Sequence, residues 1–330
     1  MSVARGRAAG NVATAIGAAA AVGVAAFAWG SVVERNRFTL RREYLAILEP
    51  GSEPITVLHL SDAHMAPWQT AKQDWIQSLA DLEPDLIVDT GDNLGHPDGL
   101  QGIVRAFDSF AGIPGVYVNG SNDYYGPVLK NPLTYFFPNR RHEYYPADLD
   151  TDALESYFDN TLGWSNLNNT ALTLPVRNTL VEFLGVNDAH RQWDRLELLP
   201  GAIDELRQDE DLANLNTVTL GVTHAPYRRV LDAFVTYGAQ AIFAGHTHGG
   251  QVRIPGLPAL VTNCDIPREQ AQGLSTWTHA GRAAALNVSA GLGTSIYAPV
   301  RFACPPEAVL VALLPSDATD DDYSGPISTR

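Results

Sequence analysis

The sequence predicts an α/β protein, and two observations carry that prediction. Short β-branched or apolar runs, such as Ile55-Thr56-Val57-Leu58-His59-Leu60 and Leu86-Ile87-Val88, alternate with segments whose apolar residues fall at helical spacing. Ligand-type polar residues follow one run after another, as in Ser61-Asp62-Ala63-His64 and Asp89-Thr90-Gly91-Asp92-Asn93. In open α/β sheets ligands sit at the carboxyl ends of the strands, so this rhythm puts Asp62, His64, Asp92 and Asn122 near one rim.

Taken in order, the chain opens with Arg5 and Arg7 and then an uncharged stretch over residues 8–33, rich in Ala and Gly. About 20 mostly apolar residues suffice to span a bilayer. Three readings stand side by side: an uncleaved membrane anchor, a signal peptide cut after Ala26-Phe27-Ala28, and a helix packed on the domain. Arg35, Arg37, Arg41 and Arg42 follow the stretch and favour a cytoplasmic domain under the positive-inside rule. Residues 38–40 and 44–48 look like strand, however, which would assign those arginines to the fold. A helix over residues 70–82 ends at Pro84, and another is expected near 102–110. Residues 115–118 form a strand ending in Asn119-Gly120-Ser121-Asn122-Asp123.

Residues 131–160 are broken by Pro132, Pro138 and Pro146 and are rich in aromatics. They read as an insertion over the site or against a membrane, or as a loop packed on the core. Strands follow at 181–186, before Asn187-Asp188-Ala189-His190, and at 217–222, before Thr223-His224. Residues 202–212 read as an acidic helix and 227–237 as a further helix. Residues 239–244 lead into Gly245-His246-Thr247-His248-Gly249-Gly250-Gln251, where glycines let backbone approach a ligand closely. Residues 252–254, 259–261, 284–288 and 309–314 are expected as strands. The domains expected are a hydrophobic segment over 1–33, one large domain over 34–315, and an acidic, disordered tail over 316–330.

Composition narrows the function. The chain has 330 residues, 45% of them hydrophobic and 18% charged, which is globular usage. A formal net charge of −15 argues against a general nucleic-acid grip, which needs a basic stripe. It leaves a phosphate substrate open, because bound cations dominate a local field. Cys264 and Cys304 have no paired-thiolate metal spacing.

Collected by strand end, the candidate ligands are Asp62, His64, Asp92, Asn122, His224, His246 and His248. Carboxylate, imidazole and amide without thiolate suit Mn, Fe, Zn or Co. Seven ligands are too many for one catalytic ion with an open position and suit two ions sharing a carboxylate. Two ions about 3.5–4 Å apart lower the pKa of a bridging water and clamp a phosphoryl oxygen. In-line attack by the resulting hydroxide would hydrolyse a phosphate ester without a covalent enzyme intermediate.

These residues carry a resemblance. Asp62-Ala63-His64, Gly91-Asp92, the segment from Gly120 to Asp123, His224, and Gly245-His246-Thr247-His248 resemble the five blocks of the calcineurin-like metallophosphoesterases, in order, across residues 56–314. Ser289-Ala290-Gly291-Leu292-Gly293-Thr294-Ser295, followed by Pro299-Val300-Arg301-Phe302, is similar to a membrane-associated bacterial branch of YkuE- and YaeI-type phosphodiesterases. The resemblance implies a four-layer αββα sandwich preceded by a hydrophobic helix. It implies a first ion on Asp62, His64, Asp92 and His248, with Asp92 bridging to a second held by His224, His246 and an amide from the third block. It also implies a small-molecule or lipid-linked phosphoester substrate, and a phosphate-binding protein with little catalysis is the competing reading.

The pattern is departed from at two linked points. The family's second block usually reads Gly-Asp-x-x-Asp, and here Gly95 stands at the last acid. The third usually reads Gly-Asn-His and an acid, and here it is Gly120-Ser121-Asn122-Asp123. Ungapped, Ser121 takes the ligand position and Asn122 that of the catalytic histidine. Asn122 is preferred as the ligand, because a serine oxygen is the poorer neutral donor. The His–Asp pair that protonates the leaving group is absent in either register, and the adjacent His96 is the candidate replacement. Asn93, Asp188 and His190 are expected to line the substrate cleft, with Tyr124, Tyr125 and Arg301 as weaker candidates.

Overall fold

The computed structural model describes residue 14 and residues 17–128, 147–208 and 216–318. Most of the aromatic stretch expected as an insertion, the end of the acidic helix and the end of the acidic tail lie outside these residues.

Two six-stranded sheets face each other. The first contains β1 (Thr39–Leu48), β2 (Ile55–Leu60), β3 (Leu86–Asp89), β4 (Gly115–Tyr117), β5 (Ser165–Asn166) and β12 (Glu307–Pro315), in the order β1-β12-β2-β3-β4-β5. From β2 to β5 its pairings are parallel. The second contains β6 (Thr170–Val176), β7 (Thr179–Val186), β8 (Thr217–Thr223), β9 (Ala241–Ala244), β10 (Gly273–His279) and β11 (Arg282–Val288), in the order β10-β11-β9-β8-β7-β6. There β7, β8, β9 and β11 are parallel.

Parallel strands covered on both faces read as nearly continuous apolar runs. That is why β2, β3, β7 and β8 are visible in the sequence. The edge strands β6 and β10 are not: Pro175 interrupts one, and Gly273-Leu274-Ser275-Thr276-Trp277-Thr278-His279 has Ser and Thr where an unbroken apolar run would be expected. Conversely, residues 252–254 and 259–261 form no strand beyond an isolated bridge between Val252 and Phe302. Pro255 and Pro258 supply no N–H to a ladder, so the apolar pattern there stays a loop.

Between the sheets, Val57, Val88, Val116 and Val118 of one layer meet Val181, Phe183, Leu220 and Val222 of the other. Outside the first sheet, α2 (Thr70–Ser78), α3 (Gly99–Phe107) and α5 (Thr151–Tyr157) bury Ile76, Ile103, Phe107 and Leu154. A single turn, α4 (Ser121–Tyr124), follows β4. Outside the second sheet, α6 (Leu199–Arg207) and α7 (Arg228–Thr236) bury Ile203, Val230, Leu231 and Phe234. The architecture is therefore αββα in four layers.

One helix, α1 (Gly17–Asn36), is long and apolar enough to cross a membrane, with 11% of its apolar window buried. Contacts with the domain begin at its carboxyl end. The Gly30 carbonyl accepts from the Arg301 N–H at 3.1 Å, and a Cβ at Gly30 would stand 2.5 Å from the Arg301 oxygen. Glu34 Oε1 accepts from the Cys304 N–H at 2.7 Å and Oε2 from Trp29 Nε1 at 3.0 Å. A division after residue 33 would cut through these contacts. Arg41 pairs with Glu43 and Glu307 at 2.6 and 3.2 Å, so it serves the fold.

His59 lies wholly buried on β2, 3.0 Å from Thr90 Oγ1 and 2.9 Å from Asn287 Nδ2. Burial, with Arg41 adding to it, pushes its imidazole down to about 3. The unfolded chain then binds more protons than the folded one as pH falls below 6.5, so folding stability must fall with it. From pH 7 to pH 5 this single site is expected to cost about 2 kcal/mol. Denaturant unfolding at the two pH values checks this: His59→Gln should lose about 2 kcal/mol less than the parent. Identical pH slopes would refute it.

Candidate metal centre

Each candidate ligand sits just past the carboxyl end of a parallel strand. Asp62 and His64 follow β2, Asp92 follows β3, Asn122 follows β4, His224 follows β8, and His246 and His248 follow β9. The two sheets aim these ends at one another. Asp62, His64, Asp92, His246 and His248 all have left-handed backbones, with φ of 49°, 39°, 58°, 67° and 49°. Such conformations cost about 1–3 kcal/mol each and persist where surrounding contacts impose them.

Those contacts are specific. Asp62 Oδ2 accepts from Ser61 Oγ at 2.5 Å and from the His246 N–H at 2.9 Å. A Cβ at Gly245 would stand 1.9 Å from Ser61 Oγ, so only glycine lets the two-histidine turn close on Asp62. Lys72 Nζ, buried, donates to the Ala63 carbonyl at 2.5 Å. Asp123 Oδ2 accepts from the N–H groups of Gly120 and Asp92 at 2.9 and 2.8 Å, and its Oδ1 from those of Asn93 and Leu94 at 2.7 and 3.3 Å. Arg301, also buried, donates to the carbonyls of Ala290, Gly291 and Gly293 at 2.7, 3.0 and 2.7 Å, behind His248.

The ligand-type atoms converge with too few protons between them. His64 Nε2 and His248 Nε2 are 3.1 Å apart. Asp92 Oδ2 lies 3.6 Å from His64 Nε2 and 3.5 Å from His224 Nε2, and Asp62 Oδ1 lies 3.5 Å from His248 Nε2. That Asp62 oxygen is buried without a hydrogen-bond partner. Atoms of Asp62, His64 and His248, and of Asp62, Asp92 and His224, gather within 4.8 Å as two groups that share Asp62. Buried acceptors facing one another cost free energy unless a cation lies among them. The donor set therefore fits divalent ions.

Backbone partners choose which nitrogen faces inward. His224 Nδ1 donates to the Thr90 carbonyl at 2.8 Å, leaving Nε2 toward Asp92. His246 Nε2 lies 3.2 Å from the Asn263 carbonyl, and its Nδ1 3.2 Å from His224 Nε2. Outer partners of this kind fix the tautomer and orientation of ligating imidazoles.

Electrostatics sort the group further. Burial pushes His64 down to about 4 and His248 down to about 3, keeping their lone pairs free at neutral pH. Burial alone would raise Asp92, but His224, His64 and the Asn122 N–H outweigh it and hold that carboxyl well below its ordinary range. His224 is the counterpart: burial lowers it, while Asp92, Asp188 and Asp62 together hold it well above 6.5. In the protein without metal, a proton on His224 thus answers a field that favours positive charge.

Asn122 is brought to Asp92. Its backbone N–H donates to Oδ1 at 2.8 Å and its side-chain Nδ2 donates to Oδ2 at 2.6 Å. Asp188, wholly buried, accepts from the His190 N–H at 2.8 Å and leaves Oδ2 without a partner. The His190 ring is 4.5 Å from that of His246, with Nδ1 2.9 Å from the Tyr227 hydroxyl. Asn93 is buried, its amide donates to Asp89 Oδ1 at 2.8 Å, and its Oδ1 has no hydrogen-bond partner. His96 stands edge-on to Trp68, ring centroids 4.9 Å apart, and its Nδ1 accepts from the Asp98 N–H at 3.0 Å. Tyr124 packs on Trp193, and its hydroxyl accepts from the amides of Asn119 and Asn187 at 3.1 and 2.8 Å.

The sequence reading missed Asp123 and Lys72. The acid that ends the third block was a visible signal for Asp123. Nothing local marks Lys72, whose partner is a backbone oxygen from another loop.

A four-layer αββα fold with carboxylates and imidazoles gathered at the strand ends defines a protein built around a metal centre. A model of the calcineurin-like phosphoesterases matches residues 55–250, more than half of the chain, and the chain belongs to that family. It is 26% identical over 268 residues to the uncharacterized protein YpbG of Bacillus subtilis, covering 80% of this chain and 82% of that one. Among solved structures, TT1561 of Thermus thermophilus is similar at 11% identity and a TM-score of 0.37, over 73% of this chain and 91% of that one. A dimetal phosphatase of Danio rerio is similar at 12% identity and a TM-score of 0.37, over 73% and 88%.

Proposed function

We propose that this protein is a binuclear metal-dependent phosphodiesterase. The convergence of Asp62, Asp92, His64, His224 and His248, with a partnerless oxygen on Asp62, carries the reading. Asp62, His64, His248 and Asp92 would hold one ion; Asp92, Asn122, His224 and His246 would hold the other. Ions bound there supply an activated water and neutralise charge on the phosphoryl group. The rest belongs to the chain. Asp123 and Lys72 hold the ligand loops, Thr90 and Asn263 orient the imidazoles, and Asp188 and His190 flank the second position. The apolar α1 supports a membrane-held enzyme and a lipid-linked phosphoester or pyrophosphate, in keeping with the YkuE- and YaeI-type resemblance.

The leaving group needs a proton, and the usual His–Asp pair is missing. His96 is our candidate donor: it would act as an imidazolium, its Nδ1–H facing Asp98 Oδ2 3.6 Å away and its Nε2 delivering the proton, and would end as the neutral imidazole. His96→Ala is expected to slow a diester with an alkoxide leaving group about 10²-fold. Hydrolysis of bis-p-nitrophenyl phosphate, whose leaving group needs no proton, should hardly change, and metal content should stay the same. Equal rates on the alkyl diester would remove His96 from this role.

The deciding experiment uses the full chain in detergent, because Gly30 and Glu34 are part of the folded domain. Metal per chain and hydrolysis of bis-p-nitrophenyl phosphate after Mn addition are measured together, with His246→Ala as control. About two ions and activity lost in the variant are expected. Two ions with no hydrolysis would instead favour a phosphate-binding protein, the reading that the missing His–Asp pair supports.

A further inference from the structure

We propose that the 251–262 segment, together with Tyr297, is a second membrane contact, lying in the interfacial layer beside α1 so that the metal cleft draws its substrate from the lipid surface. The proposal rests on the phosphoesterase reading and specifies the source of the substrate, the phosphodiester head of an amphiphile resident in the bilayer.

Four apolar side chains stand out from this short segment: Val252, Ile254, Leu257 and Leu260 are 40%, 51%, 55% and 41% exposed. Single exposed aliphatics are ordinary, but a run of them on one loop marks an interaction surface. Pro255 and Pro258 keep the segment out of the sheet, and a turn from the Ile254 carbonyl to the Leu257 N–H, at 3.0 Å, closes its tip. Tyr297 is half exposed on the neighbouring loop.

This loop and α1 share one scaffold. The Arg253 N–H donates to the Phe302 carbonyl at 2.9 Å, and the Phe302 N–H to the Gln251 carbonyl at 3.0 Å. Gln251 Nε2 donates to the carbonyls of Ala298 and Val300 at 2.9 and 3.0 Å. The same strip holds α1 through Gly30, and a Cβ there would meet Val300 Cγ2 at 2.9 Å. Trp29, Val32 and Val33 are exposed at that end of the helix. The helix is long and apolar enough to cross a bilayer, and its carboxyl end is docked on this strip, so a bilayer holding the preceding turns would lie beside the adjoining loop.

Charge agrees with this assignment. The chain carries a net charge of −15, yet residues 1–33, 241–264 and 283–306 contain no Asp or Glu. Arg253 is the only charged residue between 251 and 262. An anionic leaflet repels the rest of the surface and not this part. The segment also leads directly out of the cleft: His246 and His248 precede it, and the Asn263 carbonyl that orients His246 follows it.

The full chain is placed in vesicles of phosphatidylcholine and phosphatidylglycerol containing a phosphatidylcholine with a photoactivatable acyl diazirine. Irradiation is followed by peptide mapping of the adducts. Adducts on α1 and on 251–262 are expected. Adducts on α1 with none on 251–262 overturn the proposal, as does a cross-link showing that a second copy of the chain covers the segment. Ile254→Asp with Leu257→Asp should lose the loop adducts, keep those on α1, and hydrolyse soluble bis-p-nitrophenyl phosphate at the parent rate. Its rate on hexadecyl p-nitrophenyl phosphate carried in vesicles should fall at least about tenfold. An undiminished rate there also overturns the proposal. Failure of the parent chain to hydrolyse either ester would sink the phosphoesterase reading separately, and the adduct map would still decide the contact.

Discussion

If the centre holds two ions as proposed, Asp92→Ala is expected to lose both and to lower diester hydrolysis by at least about 10³-fold, because the ions would supply the activated water. In the proposed assignment Asp92 would be the carboxylate common to both ions, beside Asp62, which both ligand groups contain. Asp92 Oδ2 lies 3.6 Å from His64 Nε2, 3.5 Å from His224 Nε2 and 2.6 Å from the Asn122 amide. A second readout separates electrostatics from misfolding. Asp92 is the largest influence raising the His224 pKa against burial, so in the metal-free variant His224 should titrate at lower pH than in the metal-free parent. Histidine titration by NMR reads this directly. A variant that keeps two ions and its rate would mean Asp92 is not the bridge.

Asp123→Ala is expected to be nearly as damaging without touching a metal. Its two oxygens accept four backbone N–H groups that hold the loop from Asp92 to Leu94 against the third block. Each buried N–H left without a partner costs about 1–3 kcal/mol. Burial and the neighbouring Asp92 push this carboxyl up, and the N–H groups of Gly120 and Asn93 oppose that shift. Folding free energy should fall by at least about 3 kcal/mol, and metal affinity by about 10–100-fold, the usual cost of losing an outer-shell partner. Asp123→Asn makes the test sharper. Its amide would turn a donor toward two of the four N–H groups, so it should rescue only part of the loss. Denaturant unfolding and metal titration measure both effects, and parent-like values in Asp123→Ala would refute the role.

Much of this architecture was written in the chain. Strands buried on both faces appear as unbroken apolar runs, so β2, β3, β7, β8 and β9 were legible, and with them the polar residues at their ends. The order of those blocks determined the family and the ligand types, because carboxylate and imidazole chemistry depends on residue identity alone. Other features depended on neighbours distant in sequence. β10 exists because β11 pairs with it across Gly273 to His279, whereas residues 252–261 keep a strand-like pattern and remain a loop for want of N–H donors at two prolines. The partner of the Asn93 amide, the buried carboxylate of Asp89, depends on how the loop after β3 folds back. The preference for Asn122 over Ser121 could be argued from oxygen chemistry, whereas the hydrogen bond from its Nδ2 to Asp92 depends on the short α4 at the third block. The length of α1 was likewise plain from composition, while its attachment to the 298–304 strip required Gly30 to meet Arg301 and Glu34 to cap Cys304. Sequence determined which atoms this protein can offer to a ligand. Tertiary packing decided which of them face one another without a proton between them, since that depends on distances no periodicity encodes.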